Sequence, residues 1–306
     1  MSPRRDHPGA SYYGKPVINP PVWEEREIAG YLFLGGLAGS SSILAAGADL
    51  TGRHRLARRS RLCASGAIGL SLLALIKDLG RPLRFINMLR TFKITSPMSV
   101  GTWIVSAYAS MNFAATGSEL TGVLPLVGRA AGVGAGLTGA GVATYTAALI
   151  ADTAVPAWHE GYREMPFLFA GSASSAGAGF GLVAAPLAEN APAQRMAVAG
   201  AVVELAAEQL LERRLGMVAE TMHEGTAGRR LRAAKALTAL GAVGAATLGR
   251  RNRLAAAASG AALVAGSALT RFGIFAAGMT SARDPKYTVE PQRRRLEQSG
   301  AAQVPA

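Results

Sequence analysis

Mostly apolar stretches of about 20 residues recur along this chain, and no other feature constrains its fold as strongly. A helix of that length rises about 30 Å and spans the hydrocarbon core of a bilayer. The stretches are Ile28–Leu50, Leu62–Ile76, Met98–Thr116, Ala130–Ala151, Phe167–Ala188, Met196–Leu211, Ala233–Leu248 and Leu254–Ala277. The sixth and seventh contain charged residues, so a count of six spans stays open beside eight. The sequence predicts an all-α integral membrane protein with about eight transmembrane helices.

The composition agrees with helices that pack in lipid. Half of the residues (50%) are hydrophobic and only 17% are charged, against roughly 25% in an ordinary soluble domain. The 37 glycines would weaken helices in water, whereas small residues let helices approach closely inside a membrane. A water-soluble enzyme, a disulfide scaffold and a disordered chain are therefore excluded.

The net charge of +13 comes from short basic bursts between the apolar runs. Basic bursts at these positions, without interleaved aromatic residues, are typical of anchors at the membrane surface. A nucleic-acid reader would need a recognisable motif or a basic face. We therefore expect contact with the lipid bilayer and none with nucleic acid.

The inventory of metal ligands is small, with four histidines and one cysteine. No histidine lies in the middle of an apolar run, so the chain offers no axial pair for a transmembrane haem. One thiol cannot hold an iron–sulfur cluster, which needs about four thiolates. We predict no haem and no metal in this chain.

Eight spans would place both termini on one side of the membrane, which we call face A, with the loops near 77–97, 152–165 and 212–232. The opposite side, face B, then holds the loops near 51–61, 117–129, 189–195 and 249–253. Face A carries more Lys and Arg than face B, and the positive-inside rule favours cytoplasmic termini at the cell membrane. Three regions are expected: a surface segment 1–27, a transmembrane domain 28–277 and an extended surface tail 278–306.

Polar and aromatic residues collect where helices end at face A, and they indicate a site there. Each one has an alternative role as an interfacial anchor or a loop ion pair. Asp152 ends a long Gly-rich span, so we expect it to be less hydrated than Glu27. The residues are Trp23 and Glu27 before the first span, Asp78, Arg81 and Arg84 after the second, Asp152 at the end of the fourth, and His159 in the next loop.

Three carboxylates lie within or beside apolar runs. Glu204 and Glu208 are four residues apart and share one helix face, so they either pass protons inside the membrane or pair with the arginines that follow their segment. Asp49 ends the first span, where it faces water, pairs with Arg53 or takes part in a proton path.

Two further patterns concern the third and fourth spans. Ser96 followed by Pro97 predicts a helix start, with the serine as cap and the proline at the first helical position. Tyr145 lies within the fourth span, where a buried phenol needs a hydrogen-bond partner. A quinone carbonyl is one candidate for that partner.

Three motifs carry a resemblance to a known family. They are the stretch 31–39 (YLFLGGLAG), the stretch 78–88 (DLGRPLRFINM) and the stretch 96–101 (SPMSVG). With them the chain resembles the NrfD/PsrC family, the membrane subunits of polysulfide-reductase-type molybdoenzymes, from about residue 20 to 290. The resemblance implies two four-helix bundles, no haem, and a quinone site beside an iron–sulfur partner.

The resemblance also suggests roles for the residues singled out above. In this interpretation Trp23, Tyr31, Tyr145 and Ser99 bind quinone, and Asp152, Glu27 and His159 handle its protons. Asp78, Arg81 and Arg84, with the tail around Asp284 to Tyr287, dock the partner. Apart from the resemblance, the carboxylates Glu204, Glu208 and Asp49 within or beside the apolar runs are the candidates for a proton path.

The hypothesis is a haem-free membrane anchor that binds quinone or quinol and exchanges electrons with the iron–sulfur subunit of a molybdopterin enzyme. The alternative is a secondary transporter or ion-translocating subunit, for which Glu204, Glu208 and Lys235 would be suited. Such transporters carry Pro or Gly breaks in matching mid-span positions, whereas the prolines here lie near span ends. A purely structural anchor is a third possibility.

Overall fold

The computed structural model describes residues 17–19, 21–78 and 83–301, and every regular element in these ranges is a helix. Three short 3₁₀ turns lie at 187–189, 216–219 and 248–250. The helices are α1 (Glu25–Leu50), α2 (His54–Asp78), α3 (Leu83–Leu89), α4 (Pro97–Thr121), α5 (Pro125–Ala151), α6 (Pro156–His159), α7 (Met165–Ala184), α8 (Ala191–Leu215), α9 (Glu220–His223), α10 (Gly225–Ala246), α11 (Arg253–Arg283) and α12 (Lys286–Ala301).

Five of these helices are long and apolar enough to cross a membrane, namely α1, α2, α5, α7 and α11. This confirms the predicted all-helical membrane protein. Helices α4, α8 and α10 have 25, 25 and 22 residues, and even the shortest rises about 33 Å. Their lengths lie within the range of 20–31 residues of the other five helices.

Local chemistry sets several helix starts. Ser96 caps α4 by accepting a hydrogen bond from the amide of Ser99 at 3.4 Å, with Pro97 at the first position, which confirms the predicted start. Asn252 caps α11 in the same way, accepting from the amides of Leu254 and Ala255 at 2.8 and 3.1 Å. Caps of this kind satisfy amides that have no partner inside the helix.

Helix α2 begins at His54, earlier than its apolar run, so four of the five arginines in the expected face B loop 51–61 lie on its first turns. Arg61 is buried there, and its guanidinium bonds the carboxylates of Asp49 on α1 and Glu119 on α4. Asp49 therefore pairs with Arg61 and not with Arg53, which donates to the carbonyl of Thr51 at 3.3 Å. The extra helical turns aim Arg61 back at α1 and α4, which sequence spacing alone did not show.

The long helices form two groups. In the first helix set, α1 and α4 each pack against both α2 and α5. In the second helix set, α7 and α10 each pack against both α8 and α11. Helix α1 also contacts α7 and α11, and α5 contacts α7, so α1 lies along the boundary between the two sets.

Glycines allow the closest of these helix contacts. A Cβ on Gly139 of α5 would come within 2.6 Å of the carbonyl oxygen of Gly39 on α1, and a Cβ on Gly39 would overlap the Gly139 carbonyl in turn. The backbones of α1 and α5 therefore touch directly. This is the small-residue packing that the composition predicts.

Contacts at the helix ends join loops that the eight-span topology places on the same face. Glu27 pairs with Lys77, and Trp23 stacks on Trp158 at face A. At face B, Glu189 accepts a hydrogen bond from the amide of Leu56 at 2.8 Å. Ends that are far apart in sequence therefore meet in two separate layers.

The C-terminal segment differs from the expected extended tail. Helix α11 continues to Arg283, and α12 follows from Lys286 to Ala301. The tail is held back on the protein because Tyr287 is buried and the Lys286 ammonium lies 2.9 Å from the Glu220 carboxylate. An aromatic side chain with a buried place to pack gives this segment a reason to fold.

Candidate functional site

A cluster of aromatic side chains is centred on Trp158 at face A. The indole of Trp158 is fully buried, with the Trp23 ring stacked 5.9 Å away and the Phe275 ring 5.5 Å away. Its Nε1 donates a hydrogen bond to the carbonyl oxygen of Ile274 at 2.9 Å. The indole lies directly on Gly278 of α11, where a Cβ would overlap the ring. The cluster therefore ties the chain before α1 to α6 and α11.

The short helix α6 places Trp158 in this position. It begins with Pro156 at its first helical position, and the amide of Ala157 donates to the Ser281 hydroxyl of α11 at 3.2 Å. Pro156 and Ala157 are buried with the tryptophan. The segment near 152–165, which was expected to be a loop, therefore contains a short helix that packs against α5 and α11.

Three of the four predicted quinone-contacting residues meet in one apolar core. Tyr31 is buried in the same hydrophobic cluster as Trp158, and Trp23 and Tyr145 pack against that cluster. The ring of Tyr145 fills the space that a side chain on Gly101 of α4 would need. Residues from α1, α4 and α5 are thereby joined at the face A end of the first helix set.

The fourth residue, Ser99, lies apart from this core. Its hydroxyl donates to the carbonyl of Thr91 at 2.9 Å and accepts from the amide of Lys93 at 3.0 Å, so it braces the loop before α4. Ser99 also lines a cleft of about 490 Å³ that it shares with Arg84 and Met88.

The residues expected to handle protons are Glu27, Asp152 and His159. They lie around the core, and no hydrogen bond or ion pair within the described part of the chain joins them to one another. The Glu27 carboxylate lies 2.6 Å from the Lys77 ammonium, and its side chain is only 13% exposed. Asp152 follows the last residue of α5 and is exposed, so the expectation that it is the less hydrated of the two is wrong. His159 is exposed as well, with Nδ1 3.2 Å from the Ala151 carbonyl oxygen.

The predicted docking residues are only partly described. Arg81 lies outside the described residues, and Asp78 is the last residue of α2. Arg84 is exposed on α3, beside the cleft that contains Ser99.

In the tail, Lys286 and Tyr287 are engaged within the protein, which limits what they offer a partner. The Lys286 ammonium holds the pKa of Glu220 below its ordinary value. Burial raises the pKa of the Tyr287 phenol.

A second cleft of about 490 Å³ lies beside Trp23, and most of its residues were missed by sequence reasoning. Glu25 of α1 and Arg230 of α10 form an ion pair in its wall, and the guanidinium lies 5.7 Å from the centre of the Phe272 ring. The pair joins residues 205 positions apart. No spacing in the sequence connects them, and only the acidic stretch before α1 was a signal.

The carboxylates Glu204 and Glu208 lie inside the second helix set. Both are buried, and Glu208 lies 3.6 Å from the Lys235 ammonium. Neither pairs with the arginines after their segment, because Arg214 reaches Glu164 at 3.5 Å instead. Arg271 of α11, fully buried in the same region, was not singled out from the sequence.

The sequence of this membrane-spanning region matches a known protein family. A family model described as polysulphide reductase, NrfD, matches residues 17–280. This chain belongs to the NrfD family. The resemblance carried by the three motifs is thereby confirmed. A search of curated proteins finds no match.

The NrfD match covers the aromatic core and both helix sets and ends before α12. NrfD membership and the long apolar helices together make this a membrane protein, of a kind consistent with a quinone-interacting subunit. Within the described ranges, no group of three or more His, Cys, Asp or Glu side chains is arranged to hold a metal ion.

Proposed function

We propose that this protein is the haem-free, quinone-binding membrane subunit of a multisubunit oxidoreductase. It exchanges electrons with an iron–sulfur subunit that serves a molybdopterin catalytic subunit. One observation carries the proposal: Trp23, Tyr31 and Tyr145 converge in one core at the helix ends where Glu27, Asp152 and His159 also lie. Membership of the NrfD family supports the same role.

We further propose eight spans arranged as two four-helix bundles in the cell membrane, with both termini on the cytoplasmic side. The support is the closed ring of contacts within each helix set and the membrane-spanning length of α4, α8 and α10. Polar side chains on these three helices are tolerated in lipid where they face a neighbouring helix. The orientation rests on the excess of Lys and Arg at face A.

The aromatic core fits a quinone ring at its edge. Trp23 forms one wall of the cleft of about 490 Å³, Phe275 another, and the ion pair of Glu25 with Arg230 supplies an acceptor and a donor. Flat aromatic walls with a few polar groups are typical of small-molecule sites. A bound quinol would supply two electrons and two protons to the exchange, and a bound quinone would take them up.

The chain contributes orientation and proton acceptors. Trp23 orients the ring, and the core behind it, against which Tyr145 packs, excludes water from one side of the ring. The Glu27 carboxylate is held by Lys77 close to the water boundary, where it takes up or releases a proton. Asp152 and His159 are exposed and pass protons to bulk water.

The partner subunits bind at face A, where the electron carrier lies nearest to the quinone. Asp78, Arg81 and Arg84 belong to the segment that joins α2 to α4 at this face, and charged groups there form strong hydrogen bonds with a partner. Reversal of both arginines to glutamate should release the iron–sulfur subunit while the helices still insert. Crosslinks to the partner found only near residues 53–61 would contradict this arrangement.

A matched pair of tryptophan variants tests the quinone site. Trp23 lines the cleft, whereas Trp103 of α4 is 41% exposed and lies outside the aromatic core, with its ring 6.0 Å from that of Phe92. In the purified complex we expect Trp23→Leu to lose most of its bound quinone and to slow quinol oxidation at least tenfold. Trp103→Leu should keep both. A complex that contains no quinone, or a Trp23→Leu complex with unchanged turnover, would refute the proposal.

A further inference from the structure

Three glutamates lie along one face of α8, in the second helix set. Glu204, Glu208 and Glu212 follow one another at intervals of four residues and so cover about 12 Å of the helix. Glu204 and Glu208 are 1% and 2% exposed, and the Glu212 side chain is 15% exposed. The stripe therefore runs from the interior of the protein toward face A.

Basic groups continue this stripe to the surface. The Lys235 ammonium of α10 lies 3.6 Å from Glu208 and 2.7 Å from Glu212. The His223 ring of α9 lies 3.9 Å from the other oxygen of Glu212, and its side chain is 54% exposed. A line of titratable groups thus leads from open water at His223 to buried Glu208.

At the inner end the stripe meets a fully buried arginine. The Arg271 guanidinium stacks 3.6 Å from the centre of the Phe169 ring, and its Nη2 donates to the Phe169 carbonyl at 2.7 Å. Glu204 accepts a hydrogen bond from the Thr270 hydroxyl through Oε1 at 2.8 Å. Charged groups at this depth are costly unless their remaining polar atoms are satisfied.

Many of those polar atoms have no hydrogen-bond partner among the described residues. Native proteins leave very few buried polar atoms unbonded, and water bridges most of those that protein groups do not reach. The side chains concerned come from all four helices of the second set. The atoms are Nε and Nη1 of Arg271, Oε2 of Glu204, and the hydroxyls of Ser175 and Thr238. Oε1 of Glu208 also makes no hydrogen bond to a described residue, although it lies 3.6 Å from the Lys235 ammonium.

Toward face B the same face of α8 changes character. From Ala193 to Ala201 its buried residues are only alanine and glycine. A Cβ on Gly200 would come within 2.8 Å of the Ser175 amide nitrogen, so α7 and α8 leave no space between them there. Leu182 and Leu263, both 0% exposed, belong to the apolar cluster that fills this half of the set.

We propose that water molecules occupy the junction of α7, α8, α10 and α11 and connect Glu204 and Glu208 to face A alone. A proton taken from water at face A joins a carboxylate oxygen of Glu208 or Glu204 and returns by the same route. Lys235, Glu212 and His223 line that route, and Arg271 faces Glu204 at its closed end. The second helix set is then a one-sided proton pocket. This inference does not depend on quinone binding.

Side-specific thiol labelling tests the water path in the full chain. In a Cys63→Ser background, Thr238→Cys and Ser175→Cys are close to isosteric and place a thiol at the junction. Leu263→Cys is the matched dry control, and His223→Cys reports the entrance. A membrane-impermeant methanethiosulfonate reagent, which reacts with a hydrated thiolate, is added to either side of vesicles of known orientation.

We expect Thr238→Cys and Ser175→Cys to be labelled from face A only, at least tenfold faster than Leu263→Cys. Junction thiols that stay unlabelled from both sides while His223→Cys reacts would overturn the proposal. Labelling from face B would overturn its one-sidedness.

Infrared spectra test the proton exchange without a cysteine. The carbonyl band of protonated glutamate, assigned by its loss in Glu204→Gln and Glu208→Gln, should disappear when the pH is raised at face A of sealed vesicles. A change of pH at face B should leave it unaltered. A band that follows face B, or the absence of any band down to the acid limit of stability, would refute proton exchange at these residues.

Discussion

The contact between Gly278 and Trp158 offers the sharpest test of the aromatic core. A Cβ on Gly278 would overlap the indole ring, so Gly278→Ala must push Trp158 away from α11. The displaced indole loses its place between Trp23 and Phe275 and its hydrogen bond to the Ile274 carbonyl. One added methyl group therefore disturbs the whole cluster.

The expected cost follows from these contacts. Overpacking a filled core costs about 1–3 kcal/mol, and the lost hydrogen bond adds about 1 kcal/mol. The higher helix propensity of alanine returns up to about 1 kcal/mol. We expect Gly278→Ala to lower the free energy of unfolding by about 1–3 kcal/mol, which corresponds to a melting temperature about 2–6 °C lower in a chain of this size.

The matched control is Gly69→Ala on α2. Nothing lies within 4 Å of the Cβ position at Gly69, so this variant should melt at or slightly above the wild-type temperature. Tryptophan fluorescence during a thermal scan in detergent measures both variants, and quinone extraction from the purified complex measures the site. If Gly278→Ala melts with wild-type protein and keeps its quinone, the proposed role of the Trp158 cluster is wrong.

The other predictions use the same scan or hydrogen exchange. Arg61→Met should lower the free energy of unfolding by about 1–3 kcal/mol, because the carboxylates of Asp49 and Glu119 are then left facing each other. Asp49 is 37% exposed, so water screens part of this repulsion. An unchanged melting temperature would show that the buried arginine is dispensable. Ser96→Ala should cost about 0.5–1 kcal/mol through the lost cap of α4, and a larger loss would point to a second role for this serine. Lys286 lowers the pKa of Glu220. Their ion pair therefore stabilises α12 at pH values above the ordinary glutamate pKa, and this stabilisation is lost as the pH falls through the lowered pKa. Amide exchange in α12 should therefore accelerate only below about pH 4, whereas Glu220→Gln should exchange fast already at neutral pH; equal exchange in both proteins would rule out the ion pair as the anchor of α12.

Features that depend on neighbouring residues were available from the sequence. The apolar runs predicted helices in lipid because the cost of burying a backbone in a membrane depends on local side chains and on length. Ser96 and Pro97 predicted the start of α4 because a cap acts within one turn. The aromatic and charged residues at face A were found because helices of one length end in the same layer.

Features that depend on how the helices pack and rotate against one another were decided by the tertiary structure. Asp49 pairs with Arg61 because α2 starts at His54, and Glu25 meets Arg230 across 205 positions. Nothing in the sequence indicated that Arg271 is buried, because its neighbours Phe169 and Glu204 lie on α7 and α8 and reach it only when these helices pack against α11. Hydrophobicity is a property of each segment, whereas the partner of a buried charge is fixed by helix rotation and packing distance, which no single segment encodes.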